Sequence, residues 1–392
     1  MKIALISRRF PPLIGGAEKV LSYLAPALAA EGATVTVLTA KPPGLEVPET
    51  ETHVPSGRNA TGRVDVVRLS TSRLRFLGTW IYMRNLSAYL RANPPDVAYV
   101  SMLKHDAYVA VAEGARRGFP VVLRPEGAGA TGDIAWQGWG RFGGRIAERC
   151  KLAAAFVSIS PSVTDELKHA GYDASKIHAI PNGVPVPEPA WQRRQGWRES
   201  PRAVFVGRLA REKGLDTLLN AWPTVLESFP KARLMLIGEG PERPALTAQA
   251  ARLGVSSSVE LPGAVDDPVE VLRGSDLFVL PSREEGMSIA LLEAMALGIP
   301  AVATSIAGNR RLIQEFKHGR LAPVDDPAGL ARVMVDQWTH FDRAFHMTRA
   351  ARKRVQDEFS IRAMAKKHLE LFRGLTASGP NLLSDRWPPR LD

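Results

Sequence analysis

Two glutamates, Glu285 and Glu293, stand in the stretch PSREEGMSIALLEAMALG, residues 281–298. The first precedes an apolar helical pattern, and the second lies inside it among Leu291, Leu292, Met295 and Leu297. A core-facing helix gains nothing from a carboxylate there, because a buried unpaired carboxylate is costly. Ionised carboxylates accept hydrogen bonds from hydroxyls, and the two oxygens of one can take both hydroxyls of a diol. Between the two acids, the backbone amides of Gly286, Met287, Ser288 and Ile289 fall where the helix is expected to start. Unpaired N–H groups at a helix N-terminus can cradle a phosphate or a sugar hydroxyl. The ordinary alternative is a solvated Glu285 and a Glu293 paired with a neighbouring cation.

Three further loops carry related chemistry. VGRLAREKGLDTLL places Gly207, Arg208 and Lys213 at the start of an expected helix. An arginine grips phosphate oxygens in a fork, and a lysine adds a mobile point charge, so together they suit a diphosphate. LIGEGPERPAL sets Gly238 and Gly240 after a strand, where glycine permits close backbone approach. In SRRFPPLIGGAEKV, Gly15 and Gly16 open a helix that can meet a phosphate, with Arg8 and Arg9 as extra cations. A nucleotide-diphospho-sugar presents ribose, diphosphate and sugar in a row. Two acids separated by a helix N-terminus match that order.

The elements that must hold these loops alternate. KIALIS, TVTVLT, VDVVRLS, VAYVS, VVLRP and AFVSIS read as buried strands with helices between them. The alternation breaks at IPNGVPVPEPAWQRRQGW, a linker rich in proline and polar residues. It restarts with RAVFVG, ARLMLIG, VELPG, LFVLPS and PAVAT. This predicts an α/β chain of two doubly wound domains with parallel sheets, whose ligands bind beyond the carboxyl ends of the strands. The expected boundaries are 1–180, a linker at 181–200, a second domain at 201–356, a helix at 357–375 and a disordered tail at 376–392. The 392 residues are enough for two cores.

Composition narrows the class. No apolar run approaches the ~18 residues of a membrane span. The lone cysteine, Cys150, leaves no internal disulfide framework and suits a cytoplasmic setting. The net charge of +11 points to an anionic partner. No nucleic-acid motif accompanies it, so no nucleic-acid partner is expected. No G-x-G-x-x-G follows the first strand, which argues against a dinucleotide oxidoreductase.

Taken in order along the chain, PPLIGGAEKV, IPNGV, VGRLAREKG and the segment from Glu285 through Glu293 to AMALGIPAVAT resemble the retaining glycosyltransferases of the GT-B fold, family four. The resemblance covers roughly Met1 to Leu375. It implies two Rossmann-like domains facing a central cleft, with an N-terminal acceptor domain and a C-terminal nucleotide-sugar domain. It implies that the last helix crosses back to the first domain. It also implies sugar transfer to a glycan or lipid-linked acceptor with retained configuration, with no metal and no cofactor beyond the nucleotide-sugar. The sequence holds no Asp-any-Asp triplet; Arg208 and Lys213 would supply the charge at the diphosphate. Glu285, Arg208, Lys213 and Glu126 are then the expected catalytic groups, with Gly15, Gly16, Gly207, Gly238, residues 286–289 and Glu293 around the donor and His105, Arg124, Trp136 and Trp139 on the acceptor side.

One position departs from the family. Where a histidine is usual after the strand corresponding to VVLRP, this sequence has Glu126. An ionised glutamate accepts hydrogen bonds but donates none. Glu126 can receive a sugar hydroxyl or position the acceptor hydroxyl, or it can pair with Arg124 and shape the loop. His105 is the nearest histidine in sequence. This departure is the one support for a rival reading, a non-catalytic sugar-nucleotide or glycan-binding protein. Arg73, Arg75, Arg84 and Arg91 interleave with Phe76, Trp80, Tyr82 and Tyr89, and DIAWQGWGRFGGR adds Trp136, Trp139 and Arg141. A basic, aromatic helix can lie on an anionic bilayer, which raises peripheral attachment to the inner membrane face as an expectation. The alternative is that its aromatics pack on the sheet.

Overall fold

The computed structural model describes residues 1–12, 15–42, 44–54, 62–130, 132–192, 199–265 and 267–377. Of the expected tail at 376–392, residues 376 and 377 still belong to a helix and residues 378–392 lie outside the described residues, as do the linker centre at 193–198, Leu13 and Ile14. The chain divides into two units, Met1–Asn182 with Ile361–Asp392, and Gly183–Ser360.

The first unit begins β1 (Lys2–Ile6), α1 (Gly16–Ala30), β2 (Thr34–Ala40), β3 (Thr50–His53), β4 (Arg63–Leu69) and α2 (Arg75–Ala92). It continues β5 (Val97–Ser101), α3 (His105–Arg117), β6 (Val121–Arg124), α4 (Asp133–Trp139), α5 (Gly143–Cys150), β7 (Ala155–Ser158), α6 (Pro161–His169) and β8 (Ile177–Ala179). The sheet order is β3-β4-β2-β1-β5-β6-β7-β8. Every pair is parallel except β3–β4. That antiparallel edge departs from an all-parallel expectation; TETH is polar, with three of its four residues exposed and the fourth half-buried at the rim. Strands buried on both faces, such as VAYVS and AFVS, read as continuous apolar runs because helices cover both sides.

The second unit runs β9 (Arg202–Val206), α7 (Leu215–Ser228), β10 (Arg233–Ile237), α8 (Arg243–Arg252), β11 (Val259–Gly263), α9 (Pro268–Arg273) and β12 (Leu277–Leu280). There follow α10 (Ile289–Leu297), β13 (Ala301–Thr304), α11 (Ala307–Leu312), β14 (Arg320–Ala322), α12 (Pro327–Thr339) and α13 (Phe341–Glu358). Its six strands are all parallel in the order β11-β10-β9-β12-β13-β14. In each sheet the order reverses beside its first strand, between β1 and β5 and between β9 and β12. Loops leaving the carboxyl ends at such a switch point frame a crevice.

Finally α14 (Ile361–Ala377) returns to the first unit and packs on α1. His368, Leu369 and Phe372 are buried there, and His368 meets Tyr99 of β5. The first division falls after Asn182, within IPNGV, and residues 183–192 fold with the second unit. The Val184 amide donates to Phe359 O, and the indole of Trp191 donates to Ser275 O at 2.9 Å. Those bonds draw the linker's first half onto the second body. The return falls after Ser360, where Val184 and Ser360 form a bridge.

Candidate active site

In the second unit, the loops after β9 and β12 meet at the switch point. The first, residues 207–214, ends in a short 3-10 turn, Arg211–Lys213, and then Gly214, the N-cap of α7. Gly214 has φ +63, and a Cβ there would stand 2.1 Å from Pro281 O, so only glycine lets the two loops touch. The contact brings Lys213 Nζ to 2.6 Å from Glu285 Oε1. Ser282 Oγ donates to the same carboxylate oxygen at 2.9 Å. The Glu285 side chain is only 10% exposed, so it is not a solvated surface acid. Its backbone is pressed from the other side: a Cβ on Gly308 would lie 2.2 Å from Glu285 O.

Three residues later, Ser288 caps α10, its Oγ accepting from the Leu291 amide at 3.3 Å. By helix geometry the amides ahead of Leu291 point out of the helix end. Met287, Ser288 and Ile289 are buried, and Gly286 is half-buried. Glu293 lies one turn further into α10 and is 4% exposed. Gly238, at φ +132, closes the neighbouring loop; a Cβ there would strike Gly207 O at 1.9 Å. Arg208 stands at the mouth. Its side chain is 63% exposed and pairs with Glu212.

The first unit builds a second cluster at the carboxyl ends of β5 and β6. Arg124 is buried completely, and its guanidinium donates to Glu126 and to Asn182 Oδ1, the latter at 2.5 Å. Burial pushes the Arg124 pKa down, but the charges of Glu126, Tyr99 and Asp133 outweigh it and hold it above the ordinary value. The hydroxyl of Ser101 also donates to Glu126, and the Glu126 amide donates to Asp133 Oδ2 at 2.8 Å. Burial pushes Asp133 up to about 6. The Arg124–Glu126 pairing is therefore present, and it fixes the carboxylate of Glu126.

Around that cluster, Lys104 Nζ lies 3.8 Å from Asp133 Oδ1 and 5.4 Å from the Trp136 ring centre. The rings of His105 and Trp136 stand edge-to-face at 5.6 Å, and Trp136 meets Trp139 at 6.3 Å. Burial lowers the His105 pKa, and Arg8 and Lys104 lower it further. Gly15 caps α1, with the Glu18 carboxylate folded over it; a Cβ on Gly16 would meet open space. Burial raises the Glu18 pKa, with the nearby Glu126 charge adding to it.

Thus Lys213 joins Glu285, and Arg124, Glu126, His105, Trp136 and Trp139 form one connected cluster through Asp133 and Lys104, with Arg124 at its buried base. Arg208 is engaged elsewhere, with Glu212. Ser282, Arg283, Ser101 and Asn182 escaped the sequence reading. Ser282 and Arg283 lie inside the PSREEG segment itself, and Asn182 inside IPNGV, so their motifs were visible while their contacts were not.

Two doubly wound units, each with its charged and glycine-bearing loops at the carboxyl ends of its strands, define a two-domain α/β protein of the GT-B fold. Residues 14–187 match the family model described as Glycosyltransferase Family 4, and residues 200–340 match the one described as Glycosyl transferases group 1. Together they cover most of the chain, which belongs to the GT-B glycosyltransferases. The glycogen synthase of Mycobacterium tuberculosis is 26% identical over 400 residues, covering 95% of this chain and 94% of that protein. Among solved structures, a sucrose-phosphate synthase from Thermosynechococcus elongatus superposes with a TM-score of 0.80 at 22% identity, over 96% of this chain and 99% of that one. Anabaena HepE, solved in complex with UDP-glucose, gives 0.74 at 16% identity, over 95% and 100%.

Proposed function

We propose that this glycosyltransferase moves a sugar from a nucleotide-diphospho-sugar, a UDP-sugar in the first instance, to an acceptor hydroxyl with retention of anomeric configuration and without a metal ion. The observation that carries the reading is the Lys213–Glu285 pair beside the N-terminus of α10. In the reaction the anomeric C–O bond to the diphosphate breaks and a C–O bond to the acceptor oxygen forms. The acceptor's proton leaves with the nucleoside diphosphate. Negative charge grows on the departing phosphate, and fixed donors placed there lower the barrier. Lys213 and the amides of residues 286–289 fill that role. Glu285 takes the sugar hydroxyls, and Glu293 takes the ribose diol. Arg208 is free to turn from the half-exposed Glu212 to the phosphates, because such surface pairs are weak.

The acceptor belongs to the first unit, and the reading favours a lipid-linked saccharide. Phe76, Trp80, Trp139 and Phe142 are all more than half exposed. The Arg141 guanidinium lies 5.3 Å from the Phe76 ring and 5.1 Å from the Phe142 ring, which makes α2 and the α4–α5 turn one basic, aromatic face. Trp136 and Trp139 connect that face to Lys104 and the Glu126 cluster. A polar head at Glu126 and a lipid at the exposed rings would fit it. Tyr82 of α2, by contrast, is buried. Among the described residues, no helix is long and apolar enough to cross a membrane, so the face would rest on an anionic surface.

A thermal-shift panel of UDP-, GDP- and ADP-sugars tests the donor. NMR of the product's anomeric carbon tests retention, and a chelator tests metal dependence. Stabilisation by one sugar nucleotide, a product with the donor's anomeric configuration and full activity in EDTA are expected. An inverted product would remove the mechanism.

A further inference from the structure

Arg283 stands in the β12–α10 loop, two residues before Glu285, and spends all its donors on the lysine loop, the start of α7 and the loop after β14. Nε donates to Asp325 Oδ1 at 2.7 Å. Nη1 donates to Arg211 O at 2.7 Å and to Asp216 Oδ1 at 2.9 Å. Nη2 donates to Asp216 Oδ2 at 2.8 Å and to Thr217 Oγ1 at 3.4 Å. Its own amide donates to Glu212 O at 2.8 Å. Asp325, held at φ +55, also accepts from Thr217 Oγ1 at 3.2 Å. One guanidinium therefore fastens three loops: the turn that ends in Lys213, the loop that carries Glu285, and the loop after β14.

The Asp216 and Asp325 side chains are 50% and 54% exposed. Half-exposed ion pairs contribute little stability. Five directed bonds at so exposed a place make better sense as geometry. The planar fork fixes direction in a way that a lysine ammonium does not.

We propose that Arg283 is a positioning residue for sugar transfer: it holds Lys213 against Glu285 by bolting together the segments that bear them. The proposal rests on the functional reading above. The test compares Arg283→Lys in the native chain and in a Lys213→Ala background. In the native chain, kcat should fall roughly 10–100-fold while the donor KM moves less than about threefold, as expected for a misplaced group rather than a lost binding contact. With Lys213 already removed, the same change should cost roughly twofold or less, since residues acting as a unit are non-additive. Equal losses in both backgrounds, or no loss in the native chain, overturn the proposal.

A second readout needs no turnover. Limited acetylation with an amine-reactive ester, followed by peptide mass spectrometry, reports how accessible Lys213 is. Arg283→Lys should raise its labelling several-fold relative to the exposed Lys317 with an unchanged melting temperature. Unchanged labelling overturns the strut. If the wild-type chain turns over no sugar nucleotide, the transferase reading fails, and the labelling still decides whether Arg283 holds Lys213 in place.

Discussion

His368 Nε2 lies 3.1 Å from the hydroxyl of Tyr99, although 269 residues separate them in sequence. The other ring nitrogen, Nδ1, stands 2.9 Å from Met364 O. A carbonyl only accepts, so Nδ1 carries the proton and Nε2 accepts from Tyr99. Both rings are buried, and the contact joins α14 to the middle of the first sheet.

That burial sets a pH dependence. Desolvation, with Arg124 adding to it, lowers the His368 pKa from 6.5 to about 4. The folded state keeps the ring neutral, so its stability contribution is present above pH 6.5 and is lost as pH falls towards 4. The loss amounts to about 3 kcal/mol over that window. Asp106 and Asp133, pushed up to about 6 by burial, act with the opposite sign and lose stability as pH rises through 6. Urea unfolding of the wild type and His368→Gln between pH 7 and 4 separates them: the variant should shed its slope by about one proton.

Removing the lysine partner of Glu285 should damage chemistry more than binding. Lys213→Ala is expected to lower kcat by roughly 10²–10³, or about 3–4 kcal/mol of barrier, the cost of one preorganised donor. Steady-state kinetics at saturating donor measures it, and a wild-type rate would contradict the assignment.

At the other cluster the expected cost is stability. Arg124 has no route to solvent, so Glu126→Ala leaves a buried charge short of its counter-ion. Breaking a buried pair costs roughly 3–5 kcal/mol. Glu126→Gln keeps an acceptor oxygen and should cost less. Chemical denaturation of the two variants ranks them, and equal stabilities would show that the ion pair is not what holds the loop.

The exposed aromatic face should bind anionic lipid. Wild-type protein is expected to float with vesicles containing phosphatidylglycerol at low salt and to release as salt screens the arginines. Trp80→Ser with Trp139→Ser should abolish flotation and leave the melting temperature unchanged, since both rings already face water. Flotation of the double variant at wild-type level would exclude this face.

The doubly wound architecture was legible because buried parallel strands are continuous apolar runs, and the loops that end them carry glycine and charge. Lys213 and Glu285 were legible as separate members of motifs. Their pairing was not, because no sequence pattern states that Gly214 lets its loop press on Pro281. Edge strands such as β3, β8 and β14 are too short or too polar to stand out by periodicity. Arg283 looked like one more surface cation in a basic chain, and only the geometry of Asp216, Asp325 and Arg211 around it distinguishes it. The aromatic helix divides its rings in a way that composition does not reveal: Tyr82 faces the core while Phe76 and Trp80 face solvent.

Because α14 is synthesised after the whole of the second unit yet completes the first, the first unit must wait. At typical elongation rates the 178 residues from Gly183 to Ser360 take about 10–40 s to synthesise. Throughout that interval Tyr99 and the outer flank of α1 lack their cover, and the N-terminal sheet without its last helix is the species most in need of a chaperone.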